Sequence, residues 1–490
     1  MKETADFLYE ITEDAATIIK YTGAHQQICI PEAIDGYPVR VIGPEAFAEN
    51  GGELESVIVP SSVKEIGDGA FKFCLGLTEL TISEGLEVLG TDVVLVTPIS
   101  ELHLPSTVHT IRQPHELGGL KLNISPDNPY YYSDGYGLYQ KHPEGNTLLA
   151  VDLRGERKEY RIPQGTRIIG QGAFCGEETI EEVWCPTSLR VIEEEAFESC
   201  RKLKCVHFNE ELEAIGTNAF SYCALTGDIE MPSALQELGE TVFTNTFDWD
   251  RYEDALNTIT ITKENPHFYT DRDGFYRVLE DGSLELVRYF GKNNLWRIPD
   301  RVSRIGAHAF RRAQVKEVIV PVTVKQVGER AFWENPNLLA LHIEQDKTCI
   351  YIPRTPVYRK DEVTGLLHRG EELYRYDYQG YDALWSTYLY VEDQAGMASF
   401  RLKYPHELSQ EQEAFYRGWL HEHLTEVMED VALREDRGRL AELTEIDYFN
   451  GENMDDAIEV LNRHQKTELL GFLMEYKENY LEVEEFDFSL

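Results

Sequence analysis

A chain of 490 residues that is 42% hydrophobic and 27% charged has a folded composition, with room for several domains or for one repeat array and a smaller module. Its formal net charge of −41 opposes nucleic-acid phosphates and anionic membrane surfaces, since both are bound through Lys and Arg. No run of about 18 or more apolar residues is present to span a bilayer as a helix.

The segment Met1-Lys2-Glu3-Thr4-Ala5-Asp6 has neither a basic nor an apolar stretch of the kind that opens a signal peptide. The eight cysteines show no CxxC and no disulfide-framework spacing. Both features point to a reducing, cytoplasmic setting; a cell-surface location is the alternative if the N-terminus is incomplete.

In chain order, Phe7-Leu8-Tyr9 through Tyr21 reads as a β-hairpin leading to Ile30-Pro31. A motif then begins to recur: Ile42-Gly43-x-x-Ala46-Phe47, Ile66-Gly67-x-x-Ala70-Phe71, Ile169-Gly170-x-x-Ala173-Phe174, Ile215-Gly216-x-x-Ala219-Phe220 and Ile305-Gly306-x-x-Ala309-Phe310. Worn copies end at Phe197, Phe243 and Phe332, and neighbours lie 22 to 24 residues apart. A fixed period of this size marks a solenoid in which stacked rungs bury a common core. Beginning 8 to 10 residues after each Phe comes a short alternating strand, such as Val57-Ile58-Val59-Pro60, Val183-Trp184-Cys185-Pro186 or Val318-Ile319-Val320-Pro321. Alternation sends the flanking residues inward and the middle one outward. The glycine is expected to supply backbone freedom at a turn. Ala-Phe is expected to form a helical turn whose Phe plugs the space between rungs. Cys74, Cys200 and Cys223 each follow that Phe by three residues and read as a small apolar core slot.

This pattern resembles the BspA-type leucine-rich repeats, with their I-P strand and I-G-x-x-A-F-x-x-C-x-x-L segment. The run Gly67-Asp68-Gly69-Ala70-Phe71-Lys72-Phe73-Cys74-Leu75-Gly76-Leu77 follows the second part closely, and the likeness covers about residues 28–345. The resemblance implies a bacterial solenoid used for protein or surface recognition.

A longer repeat overlies the short one. Asn128-Pro129-Tyr130 to Gly137-Leu138-Tyr139 aligns with Asn265-Pro266-His267 to Gly274-Phe275-Tyr276. Each copy reads as an aromatic hairpin that widens or caps the stack, in preference to a calcium loop at Asp271 to Asp273. The expected organisation is therefore a mainly β leucine-rich repeat solenoid over 1–350, in hairpin-led blocks of about 1–124, 125–261 and 262–350. An irregular connector at 351–379 and an all-α module at 380–490 follow. In that module Ser409-Gln410-Glu411-Gln412 reads as a capping box ahead of Phe415, Trp419, Leu420, Leu424 and Met428. Asn453 is placed as the cap of a later helix, and Arg401-Leu402-Lys403-Tyr404-Pro405 and Glu468-Leu469-Leu470-Gly471-Phe472-Leu473 resemble helical tails attached to leucine-rich repeats in some bacterial proteins. The acidic aromatic segment 482–488 reads as a frayed tail.

No GxSxG, P-loop, HExxH or dinucleotide fingerprint occurs. His421 and His423, two apart on a helix, face different sides; His103, His207 and His342 sit on separate rungs, too far apart for a shared metal. The expectation is no catalytic residue, no metal and no cofactor. Outward strand positions build a surface instead: Arg161, Trp184, His207 and Glu230 on successive rungs, then Arg297, Ile319 and His342. Beside them runs an acidic column of Glu79, Glu101, Glu159, Glu182, Asp228 and Glu317. Trp flanked by Arg and His has hot-spot composition, and the carboxylates suit a basic partner. The expected function is a non-catalytic scaffold binding a protein partner through the concave sheet, at Arg161, Glu182, Trp184, His207, Glu230, Arg297 and His342. The alternatives are an exported adhesin for a host protein or glycan, and an enzyme in the helical module. Oligomeric state is not readable.

Overall fold

A computed structural model describes the chain except for residues 50–51, 154–156, 244–255, 355–356, 369–374, 389 and 482–490; the acidic aromatic segment 482–488 thus lies outside the described residues. The chain forms a β-solenoid followed by helices.

Each rung carries two short strands and a turn. Ser56–Val59 pairs in parallel with Glu79–Ile82, and Glu65–Ile66 with Val88–Leu89. Val57 and Val59 are fully buried while Ile58 is 45% exposed, as alternation requires. The Ile of Ile-Gly ends the second strand, so the motif is not purely a turn.

The Ala-Phe segment is not a helical turn. Ala46 N donates to Gly43 O at 3.2 Å and Ala48 N to Glu45 O at 3.0 Å, while Phe47 N between them donates to Ala70 O of the next rung at 2.7 Å. Glu45 and Glu49 adopt left-handed φ of 53° and 58°, and the pattern returns at Glu195 and Ser199, Asn218 and Tyr222, and His308 and Arg312. Between and at these two left-handed residues every second N–H, of Glu45, Phe47 and Glu49, donates to the next rung, so rungs bond to each other instead of each closing its own helix.

The glycine works through proximity. Gly67 and Gly216 are outside the left-handed region, but a Cβ would lie 2.7 Å from Pro44 N at Gly67 and 2.5 Å from Glu194 N at Gly216. Only a residue without a side chain lets the backbones of adjacent rungs approach so closely. The phenylalanines then stack: ring centroids lie 4.9 Å apart for Phe47–Phe71, 4.5 Å for Phe174–Phe197, 5.1 Å for Phe197–Phe220 and 4.6 Å for Phe310–Phe332. The recurrent cysteines are buried, and each thiol donates back to a Phe carbonyl: Cys74 to Phe47, Cys200 to Phe174 and Cys223 to Phe197, at 3.0 to 3.1 Å.

All three hairpins are present: Phe7–Thr12 with Ala15–Tyr21, Gly137–Gln140 with Asn146–Val151, and Gly274–Val278 with Leu284–Tyr289. The second strand of each pairs in parallel with a following rung and so starts the short-strand ladder. Asn128 and Asn265 explain the Asn-Pro repeat. Each amide donates to two carbonyls of the preceding rung and accepts two backbone N–H groups from the chain ahead. Asp271, at the turn weighed as a calcium loop, accepts from Asp273 N, Gly274 N and the Tyr276 hydroxyl.

The chain divides into two compact units, Met1–Phe268 and Tyr269–Leu490. In the second, rungs and helices share one apolar core running from Tyr276 to Leu473. Thr348–Tyr351 turns back antiparallel on Ala340–Ile343 instead of adding a parallel rung. The stretch read as an irregular connector carries helix α1 (Val357–Gly365), a Leu367–His368/Arg375–Tyr376 strand pair and helix α2 (Tyr378–Ala383). Apolar and aromatic residues explain this order: Val363, Tyr376, Tyr378 and Tyr381 are buried. Helices α3 (Val391–Lys403), α4 (Gln410–Glu422), α5 (Leu424–Arg434), α6 (Arg437–Glu445), α7 (Met454–Arg463) and α8 (Thr467–Tyr480) follow. The Ser409 capping box of α4 forms as read, whereas Asn453 makes no side-chain cap for α7 and instead donates to Tyr448 O.

Candidate partner-binding face

Parallel, in-register strands place like positions above one another. Glu159–Arg161, Glu182–Trp184 and Cys205–His207 form such a ladder, with Arg161 opposite Trp184 and Trp184 opposite His207. The Arg161 guanidinium sits 3.9 Å from the Trp184 ring centroid, and the Trp184 and His207 rings stack at 4.5 Å and 14°. Glu182 reaches His207 Nε2 at 3.6 Å. Four predicted residues thus form one stack of cation, indole, imidazole and carboxylate. Trp184 is half-buried between its neighbours.

Glu230 does not continue this stack. Its strand, Gly227–Glu230, pairs with Leu256–Thr260 and not with Cys205–His207. Leu203 and Val206 are three positions apart and Leu225 and Ile229 four, although Val206 and Ile229 each lie nine residues after their Phe. Gly227 has φ of 78°, and beside it the register with the following strand steps from Gly227 opposite Leu256 to Asp228 opposite Thr258, so the extra residue is Asn257.

In the second unit, Arg297, Ile319 and His342 are also register partners. Arg297 is forked onto Glu344 at 2.7 and 2.9 Å and also reaches Asp300 at 2.8 Å, which holds its pKa above the usual range. His342 meets Glu317 at 2.8 Å.

Much of the acidic column is partnered internally. Glu101 meets Lys121 at 2.9 Å, His103 at 3.4 Å and Asn123, and these contacts hold its carboxyl below the usual range. Asp228 accepts from Thr258 at 2.7 Å. A column missed in the sequence runs alongside: Glu181 is clamped between Lys158 at 2.7 Å and Lys204 at 2.8 Å, which lowers its pKa to about 2. The 23-residue spacing of 158, 181 and 204, with alternating sign, was a legible signal.

Cys205 Sγ lies 3.6 Å from His207 Nε2, the same nitrogen that faces Glu182. A relay would need the thiol and carboxylate on different ring nitrogens. Burial, then the charge of Glu182, pushes the thiol pKa up, the wrong direction for a nucleophile.

Six copies of the family described as BspA type leucine rich repeat region match residues 27–114, 156–266 and 289–354, more than half of the chain. The chain belongs to that family. No curated protein matches it. Among solved structures it is similar to a leucine-rich cell surface protein from Faecalibacterium prausnitzii, with 23% identity over 70% of this chain and 76% of that one, and a TM-score of 0.34. It is similar to the pneumococcal vaccine antigen PcpA, with 17% identity over 67% and 94% of the two chains and a TM-score of 0.41. A leucine-rich repeat protein from Eubacterium ventriosum shares 15% identity over 68% and 93%, with a TM-score of 0.42.

In this BspA-type protein the helical part holds polar clusters with structural partners. Arg401 and Asp382, both nearly inaccessible, form a forked pair at 2.8 and 3.0 Å; Tyr416 and Gln412 also donate to Asp382. Lys360, buried, donates to Pro336 O and Leu338 O, and burial lowers its pKa to about 8. A 520 Å³ cleft between α6 and α8 is lined by Arg437, Glu445, Asp447, Glu475 and Tyr476 and contains no Ser, Cys, His or Lys. Among the described residues no cluster of three or more His, Cys, Asp or Glu could hold a metal ion, and no helix is long and apolar enough to cross a membrane.

Proposed function

We propose that this chain is a non-catalytic interaction scaffold whose partner is a protein, bound on the outward face of the Glu159–Arg161, Glu182–Trp184 and Cys205–His207 strands. The carrying observation is the Arg161–Trp184–His207 stack. It presents cation, indole and imidazole in a preordered column, so little side-chain freedom remains to be lost on binding. Trp and Arg are the residues in which interface energy concentrates. Family membership supports recognition as the class of activity, and the BspA-type interior is occupied by rung packing. The thiol at Cys205 is raised in pKa and shares its histidine nitrogen with Glu182, which favours recognition over chemistry at this face.

The test is affinity capture from the native cell extract with the full chain and with a Glu182→Lys/Trp184→Ala double variant. A partner retained by the native chain and lost by the folded double variant is the expected result. Equal retention by both removes this face as the binding site. Cell fractionation separates a cytoplasmic scaffold from a surface adhesin.

A further inference from the structure

Where the ladder opens between Cys205–His207 and Gly227–Glu230, a cavity of about 270 Å³ lies between the two strands. The strands begin together, with Thr226 N donating to Lys204 O at 3.1 Å, and then part at Gly227. The parting has a consequence for the core. Inward positions on equivalent strands are sealed: Val57, Leu102, Val183, Val318 and Leu341 are fully buried. Val206 and Ile229 occupy the same positions and are only partly buried. The ladder is also unpaired between Glu79–Ile82 and Glu101–Leu104, yet Leu80 and Leu102 stay buried there. An open ladder alone does not expose the interior.

The cavity has an apolar floor, Val206 and Ile229, and an acidic rim, Glu210, Asp228 and Glu230. The one lysine lining it, Lys204, is engaged by Glu181. Its volume lies below the range of about 300–1,000 Å³ usual for cofactor or drug-sized ligands, which suits one inserted side chain. That side chain needs a long aliphatic stem for the floor and a cationic head for the rim. Arginine satisfies both, and its planar fork can pair with two carboxylates. The cavity also adjoins His207, where the stacked column ends.

We infer that this cavity receives an arginine side chain of the partner protein. The inference rests on the reading of this face as a protein-binding surface and adds the chemistry of one anchor. Electrostatic attraction from three carboxylates would speed association at low salt, and burial of the stem would slow release.

The test uses the full chain and three synthetic probes, acetyl-Ala-Arg-Ala-amide and its citrulline and norleucine counterparts, titrated calorimetrically. The arginine peptide is expected to saturate below about 10 mM and the other two to bind at least about tenfold more weakly, one lost charge-assisted contact. An Asp228→Asn/Glu230→Gln variant and a floor-filling Ile229→Phe variant should each weaken the arginine peptide by at least about tenfold, with thermal unfolding reporting that both fold. Equal binding of the norleucine peptide, no saturation by any probe, or arginine binding unchanged in both folded variants would each overturn the inference. Because Trp184→Ala leaves the cavity intact, partner loss in that variant with peptide binding retained separates the face from the pocket.

Discussion

Arg161 and Arg297 hold equivalent rung positions and end differently. Arg161 lies over an indole that is itself stacked on an imidazole, while Arg297 is tied into Glu344 and Asp300 and its register column ends at His342 paired with Glu317. The rung grammar is the same in both; the residues beyond the rung decide what each strip touches. Glu344 follows directly on the Ala340–Ile343 strand, in the 3-10 turn before the chain reverses into Thr348–Tyr351. The first strip has no such turn beside it. A repeat therefore standardises where a side chain points, and local exceptions to the repeat set its availability.

The largest expected effects test what the two strips share. Phe197→Ala and Phe310→Ala should each cost about 3–5 kcal/mol, by lost transfer energy and an unfilled space in the ring stack, read as shifts in the denaturation midpoint. A cost well under about 1 kcal/mol at either site would mean that the two stacks are not equivalent. Next comes the contrast between outward positions. Trp184→Ala should weaken capture of the partner by about tenfold or more, whereas Ile319→Ala should leave it within about twofold; stability should change by less than about 1 kcal/mol in both. Comparable losses of capture would erase the distinction between strips.

A pH experiment sharpens the comparison at the turn ladder. His308 in the second unit stands where Asn218 stands in the first, at the same left-handed position. Burial, reinforced by Arg311 and Arg330, lowers the His308 pKa to about 4. Its unfolded value is near 6.5, so the unfolded chain takes up the proton first, and stability falls as pH drops from about 6.5 towards 4. The His308→Asn variant should lose less thermal stability than the native chain between pH 7 and pH 4.5. Parallel losses would show that His308 is not titrating in the fold. The smallest effect belongs to the exposed pair: Glu344→Gln should cost less than about 1 kcal/mol, measured by chemical denaturation, since a surface ion pair is screened by water.

The interior was legible because solenoid packing repeats its demands. Ile, Ala, Phe and Cys recur where every rung meets the next, and the outward triplet 161, 184 and 207 followed from period and alternation alone. Two local readings changed. The glycine serves close approach instead of a special φ, because the constraint on it comes from the neighbouring rung. The Ala-Phe turn bonds between rungs, which no single repeat reveals. Glu230 left the strip although Ile229 keeps the nine-residue distance from Phe220 that Val206 keeps from Phe197, so spacing counted from Phe to strand concealed it.

By itself, the sequence determined the solenoid, its period and its family, since all of these follow from a pattern stated many times over. Tertiary structure alone decided that the last rungs share their core with the helices, that Arg297 is occupied while Arg161 stacks, and that a cavity lies between the Cys205–His207 and Gly227–Glu230 strands. Those outcomes depend on contacts made once, between residues far apart in the chain, and a pattern that occurs once has no period by which to be read.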